Sequence, residues 1–153
     1  MFTGDASGIF LFAALNRAGF ANQAQSVSRD DGLLMSDMLI SAVCRCVPPV
    51  NKPDRSEIDN CLPYLEQEIE LMKNLQGFVA LGRIAFDNLI KIYRRRGADI
   101  LSQEFKHKGV YQLGDKLLWL VAAYHPSQQN TQTGRLTEAM FDDVWLTAKS
   151  RLV

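Results

Sequence analysis

Leu117-Leu-Trp-Leu-Val-Ala-Ala-Tyr-His-Pro-Ser-Gln-Gln-Asn-Thr-Gln-Thr-Gly-Arg-Leu136 is the stretch that decides the fold. Its first seven residues are uninterruptedly apolar, the pattern of a short strand covered on both faces. Polar residues then take over, and from Thr137 to Lys149 the period becomes helical, with Met140, Phe141 and Val144 on one side. Outward from this unit the same alternation recurs. Phe78 to Leu81 reads as a second short buried strand ending at Gly82, followed by a helix with Phe86, Leu89, Ile90 and Tyr93 in one stripe. Earlier still, Met38 to Val43 is an apolar run suited to a strand. After it comes a loop, Cys44 to Arg55, holding three of the five prolines. Ile58, Cys61, Leu62, Leu65, Ile69 and Met72 then fall at helical spacing behind Ser56 as a candidate cap. The chain opens on a turn, Met1 to Gly8, that leads into an apolar helix, Ile9 to Gly19, with the glycine as its stop.

Helix and strand alternating in this way predict one α/β domain over residues 1–153, a three-layer α/β/α sandwich around a mostly parallel central sheet. The start departs from the pattern, because a doubly wound domain leads with a strand and here the opening turn has none ahead of it. Residues 97–116 carry the least pattern and are expected to include a surface excursion.

The composition is that of an ordinary globular protein, 47% hydrophobic and 22% charged. Lys+Arg and Asp+Glu both number 17, so any contact with a polyanion must come from a local patch. No apolar run is long enough to span a bilayer and no signal peptide is evident, so a cytoplasmic location and no membrane partner are expected. Cys44, Cys46 and Cys61 are an odd, clustered set, which argues against a disulfide framework and leaves buried thiols as the plain alternative.

Ligands of open α/β sheets bind at the carboxyl ends of the strands, where three polar clusters should gather. The first is Phe2-Thr-Gly4-Asp5-Ala-Ser-Gly8 at a helix N-terminus. Its glycines permit close backbone approach and its N–H groups suit an anion, although Asp5 serves equally well as a helix cap. The second is Cys44-Arg-Cys46-Val-Pro-Pro-Val-Asn51-Lys52-Pro53, stiffened by proline around an amide that has both the donor and the acceptor needed to read a base edge. Asn51 could also simply close a turn. In the third cluster, His125 follows the last strand, locked by Pro126 and surrounded by Ser127, Asn130 and other polar groups, a catalytic setting for a histidine.

His-Pro-Ser-x-x-Asn after a buried strand is similar to the signature of the uracil-DNA glycosylase superfamily. The longer string from His125 to Leu136 resembles the iron–sulfur type-b branch, also called family 5. Phe2 to Gly8 and Cys46 to Pro53 match the same branch in the same order, and Cys61-Leu-Pro-Tyr-Leu65 and Leu81-Gly-Arg-x-Ala85 also have counterparts there. The resemblance implies hydrolysis of the N-glycosidic bond of uracil or other deaminated bases in DNA, in base-excision repair. It implies that Phe2 stacks on the flipped base and that Asn51 contacts it. His125 would donate to the departing base and Asp5 would orient water and favour a cationic sugar. Gly4, Ser127 and Asn130 would line the substrate site as supporting groups. Arg135 and Leu136 would belong to a loop pressing into DNA, and Lys52 would reach a phosphate.

The resemblance also implies a [4Fe–4S] cluster on four thiolates, with Cys46 and Cys61 matching two ligand positions. The other two belong to a segment that, with the first strand, lies ahead of Met1 in the family. An incomplete or absent cluster is therefore expected in this chain, and Met1 is read either as an internal methionine or as the start of a divided or decayed relative. The alternatives are a DNA-binding remnant without catalysis and an enzyme acting on a free nucleotide. A monomer is expected.

Overall fold

A computed structural model describes residues 4–45, 53–100, 103–114 and 118–153. Helix α1 (Ala6–Arg17) starts on Asp5 and ends before Gly19, which takes a left-handed φ of +76°. Helix α2 (Arg55–Leu71) is capped by Asp54, not by Ser56. Asp54 and Glu57 form a reciprocal capping box, and the Ser56 hydroxyl donates to Asp54 Oδ1 at 2.7 Å. The signature Asp-x-x-Glu was readable in the sequence, because the carboxylate three residues on reaches back to the cap's own N–H. Strand β1 (Gly77–Leu81) runs into helix α3 (Arg83–Arg95). After strand β2 (Val110–Gln112) come strand β3 (Trp119–Ala123), the short helix α4 (Gln128–Gln132) and helix α5 (Glu138–Lys149), capped by Thr137.

The sheet order is β1-β3-β2. Strands β1 and β3 are parallel, with Gly77 opposite Trp119 and Leu81 opposite Ala123, so both end at the same edge. The alternation of β3 divides the core. Trp119, Val121 and Ala123 face α1 and α5, among Leu11, Leu15, Phe141 and Val144. Leu120 and Ala122 face the opposite layer, among Leu62 and Leu65 of α2 and Phe86 and Leu89 of α3. Because β3 is fully buried on both faces, its apolar run needs no polar positions. The expected three-layer α/β/α arrangement is what forms.

One expectation requires correction and one segment needs filling in. Met38 to Val43 pairs in no ladder among the described residues; the nearest pairing is an isolated bridge between Ala21 and Met35. Met38 and Ile40 instead pack against the α1/α5 core and Val43 against the other, while Leu39 is 55% exposed. An apolar run fixes burial, and only a neighbouring strand makes it a strand. Second, residues 97–116 are not only an excursion. Val110–Gln112 forms an antiparallel edge strand on β3, short enough that its sequence has no period to detect.

Candidate functional site

The carboxyl edge of β1 and β3 is where the polar residues converge. Gly82 leaves β1 with φ +96° and ψ 165°, a backbone region essentially restricted to glycine. Its N–H donates to the Ala123 carbonyl at 2.7 Å, which ties the end of β1 to the end of β3. A Cβ built on Gly82 would stand 3.3 Å from the Cβ of His125, so the missing side chain is what lets His125 sit against this turn.

His125 is half-buried at the head of the loop that leaves β3, followed by the buried Pro126. Burial lowers its pKa from the ordinary 6.5, and the nearby Asp5 carboxylate opposes that shift. Burial thus favours the neutral imidazole, a form that carries one N–H donor. Asp5 is exposed, and its Oδ1 accepts the Gly8 N–H at 2.6 Å as the N-cap of α1. Gly4, with φ +72°, donates its N–H to the Ser26 carbonyl at 2.8 Å and so anchors the chain entering the cap. The sheet and α1 therefore bring together two residues 120 positions apart in the sequence, a neutral donor and a carboxylate. Such a pair can stabilise a departing anion and orient water at a carbon that becomes positive.

Ser127 and Asn130 are supports of the loop. Ser127 caps α4 by accepting the Asn130 N–H at 3.4 Å, and the Asn130 side-chain amide donates to the His125 carbonyl at 2.8 Å. The Asn130 carbonyl then accepts the Leu136 N–H at 2.9 Å, so one residue pins both ends of the loop. Arg135 is exposed, its guanidinium 4.7 Å from the centre of the Tyr124 ring. Leu136 departs from expectation. It is 1% exposed and sits in the α1/α5 core, since the N–H bond to Asn130 turns its side chain inward as α5 begins. It packs the domain and is not presented at the surface.

Phe2, Asn51, Lys52 and Cys46 lie outside the described residues. Cys61 is buried on α2, and its Sγ accepts the Arg45 N–H at 3.4 Å. The Arg45 guanidinium and the Ser41 hydroxyl both bond Glu68, holding the chain ahead of Cys46 against α2. The Ser41 bond, then that of Arg45, lowers the Glu68 pKa. Cys44 is the other described thiol. Among the described residues no group of three or more possible ligands forms, and the chain holds three cysteines where a cluster of this type takes four. These residues alone do not fit a [4Fe–4S] centre.

Residues that the sequence left unremarked complete this edge. His107 stacks on Tyr124 with centroids 4.8 Å apart and planes at 15°, and its Nδ1 accepts the Tyr124 N–H at 3.1 Å. The proton of the neutral ring is therefore on Nε2, buried beside the Met140 backbone without a well-formed hydrogen bond. Phe105 packs on the same Tyr124, 6.0 Å between centroids. Neither His107 nor Phe105 could be placed from sequence, because their position follows from the edge pairing that carries Lys108 and Gly109 onto Ala122.

The model of the uracil DNA glycosylase superfamily matches residues 1–149. A type-5 uracil-DNA glycosylase of Thermus thermophilus is 42% identical over 149 residues, covering 97% of this chain and 65% of the relative. One of Mycobacterium leprae is 43% identical over 153 residues, covering 97% and 64%, and one of Pyrobaculum aerophilum is 41% identical over 137, covering 90% and 57%. The chain thus spans between half and two thirds of the length of these relatives. With the loop order, the site at the sheet's carboxyl edge and a family match over nearly every residue in agreement, the chain belongs to the uracil-DNA glycosylase superfamily.

Proposed function

We propose that the chain acts in base-excision repair as a DNA N-glycosylase, hydrolysing the bond between deoxyribose and uracil or another deaminated base. The observation that carries this reading is the apposition of His125 and Asp5 at the carboxyl edge of β3, a neutral imidazole beside an ionisable carboxylate. As the glycosidic bond breaks, its electron pair leaves with the base. The His125 N–H bonds the base oxygen on which that charge collects. The sugar carbon left behind is electron-poor, and the Asp5 carboxylate favours it and orients the water that adds there. The water's proton passes to solvent or to the departing base. Neutral His125 suits the task, because a donor of moderate acidity holds a developing anion without having been charged beforehand.

Ser127 and Asn130 act one step back, fixing the His125 carbonyl and the loop that carries it. Phe2 is assigned to stacking on the flipped base and Asn51 to contacting it, with Lys52 at a phosphate. Cys46 and Cys61 would be two thiolate ligands of an iron–sulfur centre; none of the steps above passes through it.

The test is single-turnover release of uracil from duplex DNA by the chain and by His125→Ala. Removing one donor of this kind costs on the order of a hundredfold or more in rate. Near-full release by the variant removes His125 from the mechanism. Binding of uracil-containing duplex without any release by the parent chain would leave a DNA-binding relative without catalysis.

A further inference from the structure

We propose that Arg83 and Arg135 form a clamp for the DNA backbone beside the flipped-base site, held ready by the adjoining rings of Phe105 and Tyr124. The proposal rests on the glycosylase reading above and names the surface that would hold the strand flanking the excised base. Arg135 stands 4.7 Å over the Tyr124 ring and Arg83 6.0 Å over the Phe105 ring. The two rings touch each other at 6.0 Å. They thus make two adjoining faces, tilted 47° to each other, with a guanidinium over each, reached from different parts of the chain. Arg83 opens α3 directly after the Gly82 turn, while Arg135 comes from the loop after β3. His107 stacks on Tyr124 and completes the support.

Of the four arginines that stand over rings, Arg45 and Arg96 are also ion-paired, to Glu68 and Glu70, and Arg83 and Arg135 are the two that are not, among the described residues. The chain is neutral overall, and Arg17, Arg45, Arg55, Lys91, Arg95, Arg96 and Lys108 are each within 4.0 Å of a carboxylate. Arg83 and Arg135 are exposed and meet no carboxylate among the described residues. Stacking on a ring fixes a guanidinium without consuming its N–H donors, so the fork remains free to bond phosphate oxygens in the plane. A phosphodiester backbone is the partner that matches. It is anionic and regularly spaced, and it must pass close to His125 if a base is to reach that side chain. An aromatic surface under the cations also tolerates any neighbouring base, as a repair enzyme requires.

Each phosphate contact that is lost should reduce the slope of log affinity against log salt concentration by about 0.9. The experiment measures binding of uracil-containing duplex by Arg83→Gln, Arg135→Gln and the double variant over a range of salt. Arg95→Gln, whose cation pairs with Glu66 at the far end of α3, is the control. The proposal expects a slope lower by about one for each single variant and about two for the double, with the control unchanged. Arg83→Lys and Arg135→Lys keep the charge and should keep most of the slope while losing the stacked geometry. Slopes equal to the parent's in both Gln variants overturn the clamp, as does an equal loss in the control. Uracil release by the parent chain, measured in parallel, reports on the glycosylase reading separately. Release with unaltered slopes sinks the clamp alone, and reduced slopes without release sink the catalysis alone.

Discussion

Replacing Gly82 by alanine should injure the fold and the site together, by amounts that can be separated. At φ +96° and ψ 165° an L-residue is held in a region that costs about 1–3 kcal/mol. For a domain of this size that corresponds to a fall in Tm of roughly 2–12 °C. The new methyl would also lie 3.3 Å from the His125 Cβ, closer than ordinary contact, so the histidine has to yield by a few tenths of an ångström. Since a misplacement of about 1 Å near the chemistry can cost about a hundredfold, this smaller displacement should slow base release several-fold. Gly19→Ala supplies the comparison. It meets left-handed strain at φ +76°, costing about 1–2 kcal/mol, but nothing lies within 4 Å of its added carbon and it is remote from His125. The assay is thermal melting of both variants, then single-turnover release of uracil at a temperature where both remain folded. Both should melt lower than the parent, and only Gly82→Ala should be slow. A Gly82→Ala protein with parental Tm refutes the backbone argument, and equal rates in the two variants refute the contact with His125.

Four further outcomes follow from the geometry. Asp5→Asn keeps the cap of α1 and should change stability by only a few tenths of a kcal/mol, against about 0.5–2 kcal/mol for Asp5→Ala. Base release should fall sharply in both, and equal rates for Asp and Asn would leave Asp5 as a cap. Leu136→Ala should cost about 2–5 kcal/mol in urea unfolding, because the side chain is in the core, and a neutral result would return it to the surface. Burial lowers the pKa of both His125 and His107 in the fold, so the folded chain binds fewer protons than the unfolded one below the ordinary value of 6.5. Their contribution to stability is complete above about pH 6.5 and is lost as pH falls through the lower folded values; unfolding midpoints that rise on acidification from pH 7 to 6 would contradict this. Purified anaerobically, the chain should hold less than one intact iron–sulfur cluster per molecule by iron and sulfide analysis, and a stoichiometric cluster would show that the ligand set has been misjudged.

What could be read from the sequence was whatever depends on local pattern. The β3 run announces a strand buried on both sides because burial on two faces removes every reason for a polar residue; β1 was recognisable as a strand ahead of the stripe of α3, but it was expected to be buried and only Ala80 of it is. Asp5 and His125 were recognisable because each stands at the end of a regular element, where an α/β sheet gathers its ligands. Pairing and direction were not legible. Met38 to Val43 has the composition of a strand but no partner among the described residues, and β2 has a partner but too few residues to show a period. Leu136 was misread for a related reason. Its motif fixes the residue type, whereas the backbone bond to Asn130 decides which way the side chain turns.

The same distinction explains why the histidine that the motif marks and the one that supports it differ in visibility. His125 is adjacent in sequence to the strand that positions it, so its setting can be inferred from that strand alone. His107 reaches the site only because residues 108 and 109 bond Ala122 across the sheet edge, which sets its ring on Tyr124 and its Nδ1 on the Tyr124 N–H. Tyr124 is the residue immediately before His125, so the ring beneath Arg135 and the proposed catalytic loop share one backbone segment, against which the edge strand's neighbour His107 is held by a hydrogen bond. A displacement of that edge would therefore move the proposed donor and the proposed phosphate clamp together.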